Sequence, residues 1–316
     1  MLTLENNSLV FSVPQPDVGA SPRQPVPSRP GQRRPRMTEP NCRSRVCRQS
    51  SSLYQSPTVP RRALPSSLLL ALLLPAAVLA QSNPAGIDWV RLGDFAIART
   101  ETTIAQFRRF AEATGTITRA ERAGGGEVYE SGWTKKPGWT WRAPFGGSAA
   151  YDDEPAVHVT FGEAQAFCRW AGGRLPTDAE WVRAAYAELR DSPPAPFVRG
   201  RTYPYPTGER PDGAQCLGDC GPDAKARAIN HGARLLRGDG HARVTATPAG
   251  VNGLHDMGGN AWEWVDEPRG ASGDTERRTR GGSWWYGAAQ MRSDHLQGKP
   301  ASTAVVYIGF RCVRQP

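Results

Sequence analysis

Three segments of the chain combine a helix start signal with apolar residues spaced for one helical face. Each signal is a threonine followed three positions later by Gln or Glu: Thr103 with Gln106, Thr160 with Glu163, and Thr177 with Glu180. In such a capping box the hydroxyl accepts from the third helical N–H, and the Gln or Glu side chain accepts from the threonine N–H. Gly115 and Gly172 are stop signals for the first two segments. The pattern therefore predicts three helices that begin immediately after these threonines.

Strand signals are fewer and shorter. Apolar or alternating residues predict strands over 89–92, 156–160 and 308–313. Turn-forming residues dominate 186–250 and 265–305, so little regular structure is expected there. Neither an internal repeat nor a linker divides the second part of the chain. We therefore predict one compact α+β domain with low regular secondary structure, over residues 86–316.

The first 80 residues differ from the rest in composition. They contain ten Arg, no Lys and three acidic residues, which leaves 29 basic and 27 acidic residues for 81–316. Most of the net charge of +9 therefore lies in this leader, and the nearly neutral body gives no support for a nucleic-acid partner. Residues 1–62 are rich in Pro, Ser and Arg, so we predict that they are disordered.

Residues 63–80 have the pattern of an export signal: a preceding Arg61-Arg62, a Leu-rich stretch and a small-residue end at Ala80. Prolines bracket nine uninterrupted residues, which is short of the roughly 20 that a membrane-spanning helix needs. We therefore predict cleavage near Ala80, a periplasmic or secreted protein, and no membrane span after cleavage. Because the signal lies far from residue 1, either translation starts within the leader, for example at Met37, or the beginning is overextended.

Export permits disulfides, and four cysteines follow the signal: Cys168, Cys216, Cys220 and Cys312. The even number fits two bridges. Cys216 and Cys220 lie in a loop rich in Gly, Pro and Asp and can close locally, which would leave Cys168 to pair with Cys312. A metal site built from all four cysteines is the alternative, but no pair has the Cys-x2-Cys spacing.

The stretch 250–264 is the most informative part of the chain. It combines the hard oxygen donors of Asp256, Asn260 and Glu263 with several glycines, which let backbone carbonyls approach one point. This is the donor set that Ca²⁺ selects, and a buried turn that satisfies its own hydrogen bonds is the alternative. A second loop, 230–241, offers one Asn and one Asp in a similar way.

Four ordered motifs resemble the sulfatase-modifying-factor domain of formylglycine-generating enzymes. They are the segments 174–181, 259–264, 280–284 and 309–312. The resemblance extends from about Ile87 to Arg314, and it implies a compact fold related to C-type lectins that holds two structural calcium ions.

The resemblance also implies which residues act as ligands. One calcium ion would take Asp256, Glu263 and the carbonyls of Gly259 and Ala261, and the other would take Asn230, Asp239 and the carbonyls of His231 and His241. The best-known members have Asn at the position of Asp256. The long-range bridge of the family falls on Cys168 and Cys312.

The resemblance fails at the catalytic thiolates. Formylglycine-generating enzymes oxidise a substrate cysteine with molecular oxygen at a copper(I) ion held by two thiolates, which follow the Gly-Gly-Ser motif, and copper(I) needs soft ligands. Here 283–295 contains no cysteine. Tyr286 stands at the position of the first thiolate, and Gln290 or Met291 stands near the second. We therefore expect that the chain does not make formylglycine by the two-thiolate route.

Other members of the family also lack these cysteines, including the exported protein that matures the pyoverdine chromophore. In the region equivalent to the substrate groove, the candidate catalytic residues are Ser283, Tyr286, Gln290, Arg292, Asp294 and His295. A phenol, a carboxylate and an imidazole can transfer protons during oxidation of a bound substrate. No third ligand accompanies Asp294 and His295, so the identity of any catalytic metal stays open.

Two functions fit these observations. The first is an exported, oxygen-dependent oxidoreductase that acts on a peptide or a small molecule derived from one. The second is a non-catalytic module that binds a peptide or glycan on an aromatic floor of Trp133, Trp139, Trp141, Trp284 and Trp285, although the pattern favours Trp284 and Trp262 as core residues. In both cases we expect a monomer.

Overall fold

The computed structural model describes residues 83–148, 150–268 and 275–316. The predicted disordered leader and export signal therefore lie outside the described residues. Within the described ranges, no helix is both long and apolar enough to cross a membrane.

The α-helices of the described part, α1 to α5 in chain order, are Ile104–Thr114, Arg119–Arg122, Phe161–Trp170, Asp178–Tyr186 and Asp223–Arg227. The capping boxes at Thr103, Thr160 and Thr177 are complete, so the three helices predicted from them are confirmed. Another complete capping box, Thr118 with Glu121, begins α2. This helix was not predicted because four residues are too few to show helical periodicity.

The strands, β1 to β9 in chain order, are Trp89–Leu92, Phe95–Ala98, Glu127–Tyr129, Trp133–Lys135, Trp262–Pro268, Glu276–Arg280, Gln297–Pro300, Ile308–Gly309 and Val313–Arg314. They form small sheets with the orders β1-β2-β9, β3-β4 and β7-β6-β5-β8. Only β5 and β8 pair in parallel among these described strands. The register places Glu263 of β5 opposite Arg280 of β6, which joins two of the sequence motifs.

Two of the three predicted strands differ from the structure. The strand expected over 308–313 is divided into β8 and β9, and 156–160 forms no strand. In the latter segment His158 has a φ of 59°, and its N–H donates to the Val305 carbonyl outside any ladder. The turn-rich prediction for 265–305 was also wrong in part, because β6 and β7 pair there. The polar residues of these strands hide the alternation that predicts a sheet.

The largest core cluster is aromatic and lies between α1, α3 and the chain around β8. The ring centroid of Phe107 lies 5.7 Å from that of Phe167 and 6.2 Å from that of Phe310. Short elements and long loops surround this cluster, so the observed fold is the α+β domain with low regular structure that the sequence predicted.

Two disulfides are present in the described residues. Cys168 of α3 is bonded to Cys312, with Cα atoms 5.5 Å apart, and Cys216 is bonded to Cys220. Both predicted bridges are therefore confirmed, and the alternative of one metal site built from all four cysteines is not what forms.

Candidate functional site

The candidate site is built on a tight turn that follows β6. Gly281 and Gly282 have φ values of 95° and 76°, which glycine adopts without steric conflict. A Cβ on Gly281 would lie 2.8 Å from the Met257 carbonyl oxygen. The turn allows the Trp284 N–H to donate to the Asn260 carbonyl at 3.0 Å, so the candidate catalytic segment is fastened to the loop before β5.

Two candidate residues, Tyr286 and His295, contact the same buried tryptophan. The ring centroid of Trp262 lies 5.7 Å from that of Tyr286 and 5.8 Å from that of His295. Trp262 is fully buried, whereas Tyr286 and His295 are half-buried. The fold therefore brings a phenol and an imidazole to one aromatic side chain near the surface.

The electrostatic surroundings keep the Tyr286 phenol protonated. Burial raises the pKa of Tyr286, although a hydrogen bond donated by the Tyr307 hydroxyl and the positive charge of Arg237 oppose the shift. The guanidinium of Arg237 lies 5.6 Å from the Tyr286 ring centroid. At neutral pH the phenol can therefore donate a proton to a bound molecule.

His295 has a buried nitrogen without a partner. Its Nε2, like Nε1 of Trp262, has no hydrogen-bond partner among the described residues. Burial lowers the pKa of His295, while the neighbouring Asp294 raises it in part. The imidazole is therefore mostly neutral at pH 7 and can accept a proton.

Arg280 holds the segment that carries His295. Its NH1 group donates to the carbonyls of Ser293 and His295, each at 2.8 Å. Its Nε and NH2 groups donate to the carboxylate of Asp178 at 2.7 and 2.8 Å. Arg280 belonged to a quoted motif, but this positioning role was missed because Asp178 lies 102 positions away along the chain.

The other candidate catalytic residues occupy different surroundings. Ser283 is buried, and its hydroxyl accepts a backbone N–H two positions along the chain at 3.4 Å. Gln290 is half-buried. Arg292 and Asp294 are exposed, and the guanidinium of Arg292 lies 5.9 Å from the Tyr205 ring centroid. Tyr286 and His295 are thus the candidates that the structure joins at Trp262.

The predicted aromatic floor does not form. Four of its five members are buried: Trp139, Trp141, Trp284 and Trp285. Trp133 is 55% exposed and is the remaining member. The buried tryptophans pack in the aromatic core, where they cannot contact a glycan, so the expectation of a tryptophan surface was wrong. Trp262 and Trp284 are core residues, as the alternative interpretation predicted.

Three buried carboxylates lie near Arg311. Glu263 accepts from Nε and NH2 of Arg311 at 2.7–2.9 Å and from Nε1 of Trp181 at 2.7 Å. Burial raises the pKa of Glu101, and the nearby charges of Asp256 and Glu263 add to the shift. Burial also raises the pKa of Asp256, to about 7. Arg311, with a weaker contribution of Arg227 at Asp256, does not balance three carboxylates, so the cluster favours an additional cation or a proton.

The first predicted calcium set lies in this carboxylate cluster. The excess negative charge of the cluster suits a cation, and one carboxylate oxygen of the set is free to bind it. Oδ1 of Asp256 accepts from the Thr247 hydroxyl at 2.7 Å, whereas Oδ2 is buried without a partner in the described residues. Gly259 has a φ of 84°, and a Cβ there would lie 2.6 Å from a neighbouring carbonyl oxygen. Glu263 would have to share its carboxylate between Arg311 and an ion.

The second predicted calcium set fits less well. Oδ1 of Asn230 accepts from the Gly232 N–H at 3.0 Å, and Nδ2 of Asn230 donates to the Asp239 carbonyl at 2.9 Å. The His241 carbonyl accepts from the Ile229 N–H at 2.7 Å. Two of the four proposed oxygen donors therefore already accept a hydrogen bond.

The histidine side chains of this second loop bind a buried glutamate. Nε2 of His231 and Nε2 of His241 lie 2.8 and 2.7 Å from the carboxylate oxygens of Glu154. Burial opposes ionisation of Glu154, but the two histidines lower its pKa overall. The sequence predicted only backbone roles for these histidines, and it gave no sign of Glu154, which lies 77 and 87 positions away from them.

The comparisons with known proteins agree on the family. The family model described as "Sulfatase-modifying factor enzyme 1-like domain" matches residues 76–316. The formylglycine-generating enzyme of Thermomonospora curvata is 30% identical over 276 residues, which cover 72% of this chain and 84% of that protein. Hercynine oxygenase of Mycolicibacterium thermoresistibile is 33% identical over 245 residues, which cover 69% of this chain and 50% of that protein. The solved structure of CarF has a TM-score of 0.50 at 19% identity and covers 73% of this chain and 99% of its own, which supports the fold alone.

Proposed function

The chain belongs to the family of sulfatase-modifying factor enzyme 1-like domains, and from that membership we propose that it is an exported, oxygen-dependent oxidoreductase acting on a peptide or a peptide-derived small molecule. Relatives named formylglycine-generating enzyme and hercynine oxygenase support an oxidative reaction. Two disulfides support an oxidising compartment. Mass spectrometry of the mature protein tests export, because cleavage near Ala80 gives a defined new N-terminus.

The contact of Tyr286 and His295 with one tryptophan carries the catalytic part of the proposal. The protonated phenol can donate to an oxygen or nitrogen atom of the substrate, and the neutral imidazole can remove a proton from it. Trp262 packs against both rings and gives the site an apolar side. Arg280 positions the backbone of His295, and Arg237 places a positive charge beside Tyr286.

The route does not use a thiolate pair from the segment after the Gly-Gly-Ser motif, because 284–295 contains no cysteine. Oxygen uptake by the purified protein with a cysteine-containing sulfatase-type peptide, and with tyrosine-containing peptides, tests this. We expect uptake with at least one peptide that lacks cysteine. Conversion of the cysteine peptide to formylglycine would contradict the proposed route.

Single substitutions test the two proposed proton-transfer groups. We expect Tyr286→Phe and His295→Ala to reduce the rate of oxygen uptake by about 10²-fold or more, because each loses one proton transfer. Tyr151→Phe is the matched control, since Tyr151 is 53% exposed and its ring contacts His231 rather than Trp262. Saturable peptide or glycan binding without any uptake would instead support the non-catalytic module.

We also propose that Ca²⁺ binds the first predicted set, Asp256, Glu263 and the carbonyls of Gly259 and Ala261. The ion would supply positive charge to the carboxylate cluster, and the unpartnered Oδ2 of Asp256 supports this assignment. Elemental analysis and thermal unfolding with and without EDTA test it. We expect EDTA to lower the Tm of the wild type but not that of Asp256→Ala. One equivalent of calcium would favour the first set alone, and two would support both sets.

A further inference from the structure

An exposed arginine lies over the rings of the candidate site. The guanidinium carbon of Arg237 is 5.6 Å from the ring centroid of Trp285 and 5.6 Å from that of Tyr286. Trp285 is buried and Arg237 is exposed, so the guanidinium rests on the core and remains open to solvent. Contact with two aromatic rings holds a cation in place while its charge stays accessible. Arg237 therefore presents a positive charge beside the phenol proposed as a proton donor.

The backbone next to Arg237 is held in place by a glycine. Gly238 has a φ of 69°, which a residue with a side chain rarely adopts, and a Cβ there would lie 2.9 Å from the Trp284 ring. One position further, the Asp239 carbonyl accepts from Nδ2 of Asn230 at 2.9 Å. The loop is therefore packed on the tryptophan core immediately after Arg237, which keeps the arginine near the candidate site.

The guanidinium of Arg237 has no carboxylate partner. Arg142, Arg201 and Arg243 are also exposed, and each combines a ring contact with a carboxylate oxygen 2.7–2.9 Å away. Arg237 has the same kind of ring contact, but in the part of the chain that the structure describes it makes neither an ion pair nor a hydrogen bond. Its planar fork of N–H donors is therefore free to bind a carboxylate from another molecule.

Two exposed aromatic side chains lie near the same site. Tyr129 and Trp133 are paired across the hairpin of β3 and β4, with ring centroids 5.4 Å apart. The backbone of Tyr129 contacts the Tyr307 hydroxyl, which hydrogen-bonds to the Tyr286 hydroxyl. The positive charge of Arg237 acts on both of these hydroxyls and opposes the rise in pKa that burial causes. The surface around Tyr286 therefore suits a ligand that has a negative charge and an aromatic group.

We propose that Arg237 binds a carboxylate of the substrate, and that Tyr129 and Trp133 contact an aromatic group next to that carboxylate. The substrate class is then a peptide or peptide-derived molecule with an aromatic residue and a negative charge. This inference rests on the proposed function, because it places the ligand next to Tyr286. A C-terminal carboxylate and an Asp or Glu side chain offer the guanidinium the same two oxygen atoms.

Binding measured without oxygen separates this inference from the proposed reaction. Isothermal titration calorimetry under argon compares three probes: N-acetyl-Gly-Tyr with a free C-terminal carboxylate, its neutral amide, and N-acetyl-Asp-Tyr amide with a side-chain carboxylate. We expect at least one charged probe to bind the wild type on the order of tenfold more tightly than the neutral amide. The tighter of the two charged probes identifies the source of the carboxylate. This comparison requires no variant to fold.

Two substitutions assign the binding to the named residues. Arg237→Gln removes the positive charge, so it should reduce the affinity for the charged probes to that for the neutral amide and leave the latter unchanged. Trp133→Ala should weaken all three probes by a similar factor, because each carries the same aromatic ring. Arg234→Gln is the matched control, since Arg234 is exposed in the same loop and has no ring contact among the described residues. It should bind all three probes as the wild type does.

Each outcome decides between the two proposals. Equal affinity of the wild type for charged and neutral probes, or no binding of any probe up to millimolar concentration, would overturn the inference. An unchanged charge preference in Arg237→Gln, or unchanged affinities in Trp133→Ala, would overturn it as well. Charge-dependent binding without oxygen uptake would support the inference and contradict the proposed oxidoreductase activity, whereas uptake without a charge preference would do the opposite.

Discussion

Removing the bridge between Cys168 and Cys312 tests whether crosslinking stabilises this loop-rich fold. The double substitution Cys168→Ala/Cys312→Ala releases a constraint over 144 positions. In the chain-entropy treatment, a crosslink of this span contributes about 5 kcal/mol by restricting the unfolded chain. Alanine is preferable to serine because both sites are completely buried, and a serine hydroxyl there would need a hydrogen-bond partner.

The local bridge is the matched control for this experiment. Cys216→Ala/Cys220→Ala removes the same kind of bond over a separation of 4 positions. The same treatment gives about 2 kcal/mol for so short a loop. We therefore expect the free energy of unfolding to fall by about 3 kcal/mol more in the long-range variant than in the local variant.

Urea unfolding of the oxidised proteins, followed by tryptophan fluorescence, measures both free energies. The m-value should also rise more in the long-range variant, because its unfolded chain exposes more surface than the crosslinked chain does. Failure of the long-range variant to fold, while the local variant folds, agrees with the prediction. Equal losses in the two variants, or a larger loss in the local one, would refute the reasoning.

Three further predictions concern single buried positions. Arg311→Met leaves Glu263 and its neighbouring carboxylates without a guanidinium partner, so the free energy of unfolding at pH 7 should fall by about 3–5 kcal/mol in urea titrations; a loss below about 1 kcal/mol would contradict the assigned network. Burial lowers the pKa of His158 to about 4, so the unfolded chain takes up a proton below about pH 6.5 that the native state excludes. The free energy of unfolding is therefore highest above that pH, and between pH 6.5 and 4 the wild type should lose on the order of 3 kcal/mol of it relative to His158→Asn. Parallel curves of unfolding free energy against pH for the two proteins would show that this histidine contributes nothing. Gly240→Ala should lower the Tm by several degrees, because Gly240 has a φ of 120° and its Cβ would lie 2.2 Å from the Ile229 carbonyl oxygen. Gly162→Ala, where no atom lies within 4 Å of the Cβ position, should instead raise the Tm, and identical shifts in the two variants would contradict the steric argument.

The sequence alone determined the features that depend on neighbours along the chain. A capping box is completed within three positions, so Thr103, Thr160 and Thr177 predicted the starts of α1, α3 and α4. The local disulfide likewise needed only two cysteines close together in one loop rich in Gly, Pro and Asp. The ordered motifs of the second half were sufficient to predict the fold class, because they recur as a set in one family.

Only the tertiary structure decided which distant segments meet. The burial of Trp285, the support of His295 by Arg280, and the approach of Cys220 to Met291 each depend on contacts between segments far apart in sequence. In a fold with short strands and long loops, few periodic patterns indicate such contacts in advance. Burial and ion pairing are properties of the packed chain, whereas a helix cap is a property of a few consecutive residues, and this difference separates what could be predicted from what had to be observed.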